Sequence, residues 1–305
     1  MRILVIGASG FIGRALIKEL HQAEHQVIAV SRNKNNAETT LGRKTKIVEW
    51  DGYSRTGFAR HLGGVDAVVN LAGDNIASGR WTKTKKKKII SSRVSTGRLI
   101  AEYISSSPDK PSVFIQGSAI GYYGSPVNEP ADETGKPGKG FMPQLVQEWE
   151  SSISSLEDII PRVIFLRTGL VLGSDGGILQ KMLLPFKFYF GSVIGPGKQF
   201  MSWIHIRDEV RAIRYLIENE NCHGAYNLTA PHPVNMETFM KCTGSILKKP
   251  VWLKVPAIIL KIVLGKMAEE TILASQNIKP GRLTADGFKF EFEQLEPALN
   301  DLLKN

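Results

Sequence analysis

The sequence predicts an α/β protein: a doubly wound parallel sheet with helices on both faces, followed by a smaller, mostly helical C-terminal unit. Two observations carry this. Short apolar, β-branched runs alternate with stretches of helical periodicity as far as Arg167, as expected for strands joined by crossover helices. The first run, Ile3-Leu-Val-Ile6, leads into glycines at three-residue spacing, Gly7, Gly10 and Gly13, and then into a helix marked by Ala15, Leu16, Ile17 and Leu20.

That opening run has no polar residue, which suits a strand covered on both faces. The glycines therefore fall on a strand-to-helix turn. Gly7 permits the tight turn, Gly10 lets the backbone approach a pyrophosphate, and Gly13 lets the helix pack close to the strand. Ser9, Phe11 and Ile12 complete the turn, whose free N–H groups and helix dipole face whatever lies ahead. The pattern predicts a dinucleotide site built from Gly7, Ser9, Gly10, Phe11, Ile12 and Gly13. A glycine turn without a ligand would leave those N–H groups unexplained.

A second buried strand, Gln26–Ser31, follows the first helix. A site selective for NAD carries an acidic side chain near the end of this strand to bind the ribose hydroxyls. Here the chain has Ser31, Arg32, Asn33 and Lys34, with no acid before Glu38. A hydroxyl and a guanidinium suit a 2′-phosphate, so NADP(H) is the expected cofactor. Lys46–Asp51 reads as a third strand, with Trp50 and Asp51 placed to flank an adenine. Val65–Gly73 is a fourth, whose small end, Asn70-Leu71-Ala72-Gly73, allows a close backbone approach. A helix is expected from about Lys85 through Tyr103, then a fifth strand, Pro111–Gln116, ending in Gly117-Ser118-Ala-Ile-Gly-Tyr122-Tyr123-Gly124. Glu129 to Gly140 is rich in Pro, Gly and charge and reads as loop. A helix over Gln144–Leu156 and a sixth strand, Arg162–Arg167, close the alternating part. Beyond Gly173 the pattern changes: Gly176-Gly177 opens a helix to about Phe190, Trp203–Asp208 leads into a helix over Glu209–Glu218, and Ala225–Leu228 is a further strand. From Asn235 short helices are separated by prolines and glycines. The expected division is a cofactor domain at 1–172, to which 203–230 returns, and a substrate unit at 173–202 and 231–305.

Of the 305 residues, 42% are hydrophobic and 22% charged, ordinary for a globular protein with an ample core. The net charge of +10 and the run Lys83, Lys85, Lys86, Lys87 and Lys88 raise nucleic-acid binding. No aromatic residues interleave with those lysines as a stacking platform requires, so no nucleic-acid partner is expected, and the run reads as a solvated helix start partly facing an anionic cofactor. No apolar run reaches the length of a membrane span, Val255–Leu264 being interrupted by Pro256 and Lys261, and no membrane partner is expected. Cys222 and Cys242 make neither a disulfide framework nor a metal-ligand spacing. The four-residue apolar start is no signal peptide, and the chain is expected to be cytoplasmic, a monomer or homodimer acting on a small molecule.

In order along the chain, the glycine spacing, Asn70-Leu-Ala-Gly73, Gly117-Ser-Ala119, Leu166-Arg167 ahead of a Val-Leu-Gly, and Trp203-Ile-His-Ile206 resemble the extended short-chain dehydrogenase/reductases of the epimerase and dehydratase branch, over residues 1 to about 230. Gly79-Arg-Trp81, Ser92-Arg93, Gly121-Tyr-Tyr123, Trp149-Glu150, Leu184-Pro-Phe186 and Ile278 with Pro280 resemble an atypical "epimerase family" subgroup over nearly the whole chain. The resemblance implies a Rossmann domain that binds NADP, a distinctive C-terminal domain of unassigned role, and cofactor contacts at Ser31, Arg32, Leu71, Ala72, Arg93 and Val171. Gly73 and Gly117, at the ends of the fourth and fifth strands, join that set.

Such enzymes transfer hydride with a Ser, a Tyr and a Lys, the last two spaced Tyr-x-x-x-Lys so that the ammonium lowers the phenol pKa and holds the ribose. Ser118 takes the place of the Ser. None of the seven tyrosines has a lysine four residues on, and the expected positions carry Phe141 and Leu145. Tyr122 and Tyr123, at the rim after the fifth strand, are the substitute acids, or else packing aromatics. Glu148, Glu150 and His205 are weaker candidates: the carboxylates read as helix surface and the histidine as a buried, hydrogen-bonded side chain. Two functions remain open, an NADP-dependent oxidoreductase or epimerase with a non-standard acid, and a non-catalytic NADP(H) sensor that acts on a partner.

Overall fold

Ile3, Leu4, Val5 and Ile6 are at most 2% exposed, as suits β1 (Arg2–Ile6), an interior strand of a seven-stranded sheet. The structure, a computed structural model, describes residues 1–42, 45–54 and 57–304. After β1 the chain forms α1 (Phe11–Gln22), β2 (Gln26–Ser31), α2 (Lys34–Leu41), β3 (Lys46–Glu49), β4 (Ala67–Asn70), α3 (Lys83–Ile90), α4 (Thr96–Ser106), β5 (Val113–Ala119), β6 (Val127–Ala131), α5 (Phe141–Ser151) and β7 (Arg162–Thr168). The rest comprises β8 (Leu170–Leu172), α6 (Leu179–Lys187), β9 (Gly191–Ile194), β10 (Phe200–Met201), β11 (Trp203–His205), α7 (Ile206–Glu218), β12 (Gly224–Leu228) and β13 (Val234–Asn235). It ends with α8 (Met236–Leu247), β14 (Val251–Val255), α9 (Ala257–Leu264), β15 (Gln276–Ile278), α10 (Gly281–Ala285) and α11 (Leu295–Lys304).

The sheet order is β12-β7-β5-β4-β1-β2-β3, and every pair in it is parallel. The order reverses between β1 and β4, and ligands of such sheets bind outside the carboxyl ends of the strands at that point. Alternate residues of β1 feed two cores. Ile3 and Val5 pack under α1 and α7 with Leu16, Leu20, Ile213 and Leu216, while Leu4 and Ile6 pack under α4 with Ile100 and Ile104. A third core, built on Phe186, Trp203, Phe239 and Leu299, belongs to the C-terminal part.

Several local readings change. The helix expected from about Lys85 through Tyr103 forms as α3 and α4, continuous helical backbone with a π-turn inserted at Ser91–Ser95. Part of the stretch read as loop from Glu129 is strand: β6 pairs in parallel with β15, just as β14 pairs with β9, so the C-terminal part is helical with short strands added. Strands β6 and β15 carry no apolar run of their own and exist because a distant partner supplies the hydrogen bonds. Gly176-Gly177 does not open a helix. A Cβ at Gly176 would come within 2.6 Å of the Phe11 ring, so these glycines admit that ring and α6 starts later, at Leu179.

Three carboxylates tie distant segments by accepting main-chain N–H groups. Fully buried Asp208 accepts from Glu291 N and Phe292 N at 2.8 Å each, and from Arg211. Glu133 accepts from Asn227 N at 2.8 Å and Arg282 N at 3.1 Å. Glu270 accepts from Met142 N at 2.8 Å, which caps the first turn of α5.

Candidate functional site

The phosphate end is set by backbone. Gly7 has φ +80°, and a Cβ there would lie 2.8 Å from the Leu71 carbonyl carbon, so β1 turns directly against the end of β4. A Cβ on Gly13 would meet the Gly7 carbonyl oxygen at 2.5 Å, so only glycine lets α1 start this close to the strand. Gly10 is the N-cap and supplies no side-chain acceptor, which leaves the first N–H groups of α1, those of Phe11 and Ile12 among them, open to an anion. Arg14 Nη1 donates to the Ser9 carbonyl at 3.2 Å and braces the turn from outside.

The two hydroxyls at the end of β2 meet: Ser9 Oγ and Ser31 Oγ are 3.0 Å apart. Arg32, the next residue, is exposed. Trp50 is not available to an adenine as read from sequence. It is 4% exposed, packs edge-on against Phe58 at 4.6 Å and donates its Nε1–H to Ser54 O at 3.0 Å. Asp51 accepts from the Tyr53 and Ser54 N–H groups, which hold its pKa below the usual carboxylate value.

In the middle of the rim, buried Asn70 donates to Gln116 at 3.1 Å and accepts from Ala72 N at 3.1 Å, which fixes Leu71 and Ala72 beside Gly7. A Cβ on Gly73 would come within 2.9 Å of the Arg93 guanidinium. Arg93 comes from the π-turn, a feature frequent at functional sites. It donates to Asp74 O at 3.0 Å and lies 4.9 Å over the Trp149 ring. Burial lowers its pKa to about 10, against the pull of Asp74, so it stays charged at neutral pH. Arg93 Nε and Trp149 Nε1 are buried donors without a partner among the described residues. Gly117 lies against Asn70 O and Trp149, and Val171, 9% exposed, pairs with Ile204 across β8 and β11. The lysine run is anchored from below: Lys85 and Lys88 both reach Asp74, and Lys86 sits 4.3 Å over the Phe141 ring. Burial works against the Asp74 carboxylate, but the two lysines outweigh it and lower its pKa.

At the far rim, Ser118 donates to Glu150 Oε1 at 2.6 Å. Arg167 grips the same carboxylate with Nε at 2.9 Å and Nη2 at 3.0 Å. Burial opposes the arginine's charge, and this bidentate pair more than restores it, raising the pKa. The guanidinium lies 3.5 Å over the Tyr122 ring, and its Nη1 donates to Tyr123 Oη at 3.1 Å. Tyr123 Oη in turn donates to Asn227 Oδ1 at 2.7 Å, and burial raises its pKa. The Tyr123 hydroxyl is thus used on both sides, the Ser118 proton is committed to Glu150, and the Tyr122 hydroxyl has no hydrogen bond among the described residues.

Glu150 is therefore no solvated surface carboxylate, although Glu148, which accepts from Gln144 at 2.9 Å, is on the outer side of α5. Asp74 and Arg167 received no role from the sequence because their partners lie 11 to 44 residues away. Phe141 and Leu145 pack with Trp81, Ile89 and Val146. His205 is 1% exposed, stacks on Phe292 at 4.0 Å and caps α7 by accepting from Arg207 N at 3.1 Å. Burial and Arg207 lower its pKa to about 4.

Residues 3–143 match the model of the "NAD dependent epimerase/dehydratase family", and residues 255–302 match a domain of unknown function, DUF1731. The chain is 35% identical to epimerase family protein YfhF of Bacillus subtilis, over 99% of this chain and 98% of that one. It is 34% identical to a chloroplastic epimerase family protein SDR39U1 homolog of Arabidopsis thaliana, over 100% of this chain and 87% of that one. Among solved structures it is similar to the human epimerase family protein SDR39U1 (isoform 2) with NADPH, with TM-score 0.89, 32% identity and full coverage of both chains. A UDP-glucuronic acid 4-epimerase from Bacillus cereus shares the fold, with TM-score 0.81 at 17% identity over 100% of this chain and 99% of that one.

Proposed function

Because the chain belongs to the NAD dependent epimerase/dehydratase family, is similar to proteins named epimerase family protein and carries a DUF1731 match of its own, we propose that it is an NADP(H)-dependent oxidoreductase that reduces a small carbonyl or sugar-like substrate. The observation that carries this reading is the uncapped start of α1, cradled by Gly7 and Gly13, with Ser31 and Arg32 at the end of the neighbouring strand. The residues fit the group. The α1 N–H groups would take the pyrophosphate, Ser9 and Ser31 the ribose, and Arg32 the 2′-phosphate. Leu71, Ala72, Gly73, Arg93, Gly117 and Val171 would line the path to the nicotinamide, and the orphan Arg93 Nε–H is a donor left over for it. The NADPH in the human relative supports the same choice. When bound, the cofactor supplies a hydride.

The protein's part is to hold the substrate and move a proton. Of the three hydroxyls, Tyr122 is the donor, since its O–H alone has no hydrogen bond among the described residues. Arg167, locked by Glu150, lies flat on the ring and orients it. Ser118, whose O–H donates to Glu150, can only accept from a substrate hydroxyl, and so positions it. Tyr123 buttresses Arg167. The Tyr122 O–H, unpaired among the described residues, is placed to donate, an arrangement that suits carbonyl reduction. Residues 1–172 with 203–230 act as the cofactor domain, and 173–202 with 231–305 shape the substrate side; β12, within the first set, extends the main sheet beside β7.

The test is single-turnover oxidation of bound NADPH against a carbonyl panel. Tyr122→Phe should slow the reaction about 10²- to 10⁴-fold, the range for a general acid, with Ser118→Ala and Tyr123→Phe less affected. Parental rates in all three variants would remove the proposed acid. Tight NADPH binding with no carbonyl ever reduced would favour the second reading, a non-catalytic NADP(H) sensor, which the packing of Phe141 and Leu145 into an apolar cluster supports.

A further inference from the structure

Helix α9 buries none of its eight side chains. Its half-buried side is Ala257, Leu260 and Leu264, and the opposite face shows Ile258, Ile259, Ile262 and Val263 at 50–67% exposure. Pro256 joins this helix to β14, whose outward side carries Trp252, 64% exposed. Trp252 donates its Nε1–H to Tyr189 O at 3.1 Å, and its ring lies 6.4 Å from that of Phe190, so the turn after α6 joins the same surface. Nine of the twelve large apolar side chains exposed among the described residues fall within 184–190 and 252–263. Large apolar side chains gathered in this way on two short exposed segments mark an interaction site.

The charge around it selects the partner. The two segments that build the surface, 181–198 and 248–266, carry three and five lysines and no Asp or Glu. Lys249 sits 4.5 Å over the Tyr189 ring, and Lys254 shares the outward side of β14 with Trp252. Lys261 is paired with Glu269 at 3.2 Å, but the two segments stay net positive, so a second copy across a two-fold axis would set like charge against like. Exposed Trp, Tyr and Phe beside lysines match instead the level of lipid headgroups. We propose that this face docks on an anionic lipid bilayer, with α9 lying in the interfacial plane. At eight residues α9 is far short of the roughly 20 needed to span, and among the described residues no helix is long and apolar enough to cross a membrane. The expectation of no membrane partner rested on span length and does not cover a helix that lies on the surface.

The experiment is flotation of the full chain with phosphatidylcholine vesicles and with phosphatidylcholine vesicles containing phosphatidylglycerol, at low and high salt. The parent should float only with the anionic vesicles and less at high salt. Ile258→Glu with Ile262→Glu should abolish flotation. Lys249→Gln and Lys254→Gln should each weaken it about fivefold, the equivalent of about 1 kcal/mol per lysine near an anionic surface. All these side chains lie away from the Gly7–Gly13 turn, so NADPH affinity should hold in every variant, which separates this test from that of the cofactor reading. The proposal is overturned by a parent that stays unbound at low salt, or by binding that survives the double Ile→Glu change. It is equally overturned by a concentration-dependent dimer that the double change dissolves, which would assign the face to a second copy.

Discussion

Arg32 stands exposed one residue past the end of β2, where a family member selective for NAD would carry an acid. Nothing holds its guanidinium in an ion pair among the described residues, so it is free to meet a phosphate. A hydrogen bond to a charged group contributes about 1.5–3 kcal/mol. Arg32→Ala should therefore weaken NADPH by roughly ten- to a hundred-fold while NADH changes little. Titration calorimetry with both cofactors decides it, and equal losses would remove the 2′-phosphate assignment. The place of Arg32 just past the end of β2 was legible in the sequence because the strand and the turn after it lie within a few positions of one another. Glu150 was not. Its partners Ser118 and Arg167 are 32 and 17 residues away, and only the packing of α5 across β5 and β7 brings them to one carboxylate.

Helix α7 and its cap carry three buried titratable groups, and two of them, His205 and Glu209, pull in opposite directions. His205 at its N-cap has its pKa lowered to about 4 by burial and the nearby Arg207, so it is neutral in the fold and charged below about pH 6.5 when unfolded. The stability it contributes is present above pH 6.5 and is lost as pH falls toward 4. Glu209 has its pKa raised to about 8 by burial, despite a hydrogen bond from Thr168 at 2.9 Å. The fold keeps its proton while the unfolded chain releases one above about pH 4.5. Its contribution is therefore full at low pH and is lost as pH rises toward 8. Thermal melts should show a stability maximum between these limits. Glu209→Gln should flatten the alkaline limb by a few kcal/mol and leave the acid limb in place; an unchanged alkaline slope would mean that Glu209 is ionised in the fold. Periodicity located this helix but began it at Glu209. The structure begins it at Ile206, since a histidine cap lacks the usual Ser, Thr, Asp or Asn signal.

Across the whole molecule, the parallel sheet and its glycine turn were readable because each strand is a local apolar run with its helix beside it. The C-terminal part was harder. Strands β14 and β15 each depend on a partner far away in sequence, β9 and β6, and neither partner announces itself by alternation. The segments are instead fastened by carboxylates that capture main-chain N–H groups, Asp208 with residues 291 and 292 and Glu133 with residues 227 and 282. Fastening of this kind divides the tolerance for amino-acid exchange unequally between the two sides. The carboxylate side admits almost no replacement, because any change of length or charge leaves two buried amides unmet. The amide side is indifferent to which side chain it bears, as long as it has an N–H. Glu291, whose side chain reaches out to Arg207 at the surface, is the clean case. In a saturation library scored for folded protein, position 208 should accept little besides Asp, whereas position 291 should accept nearly every residue except proline.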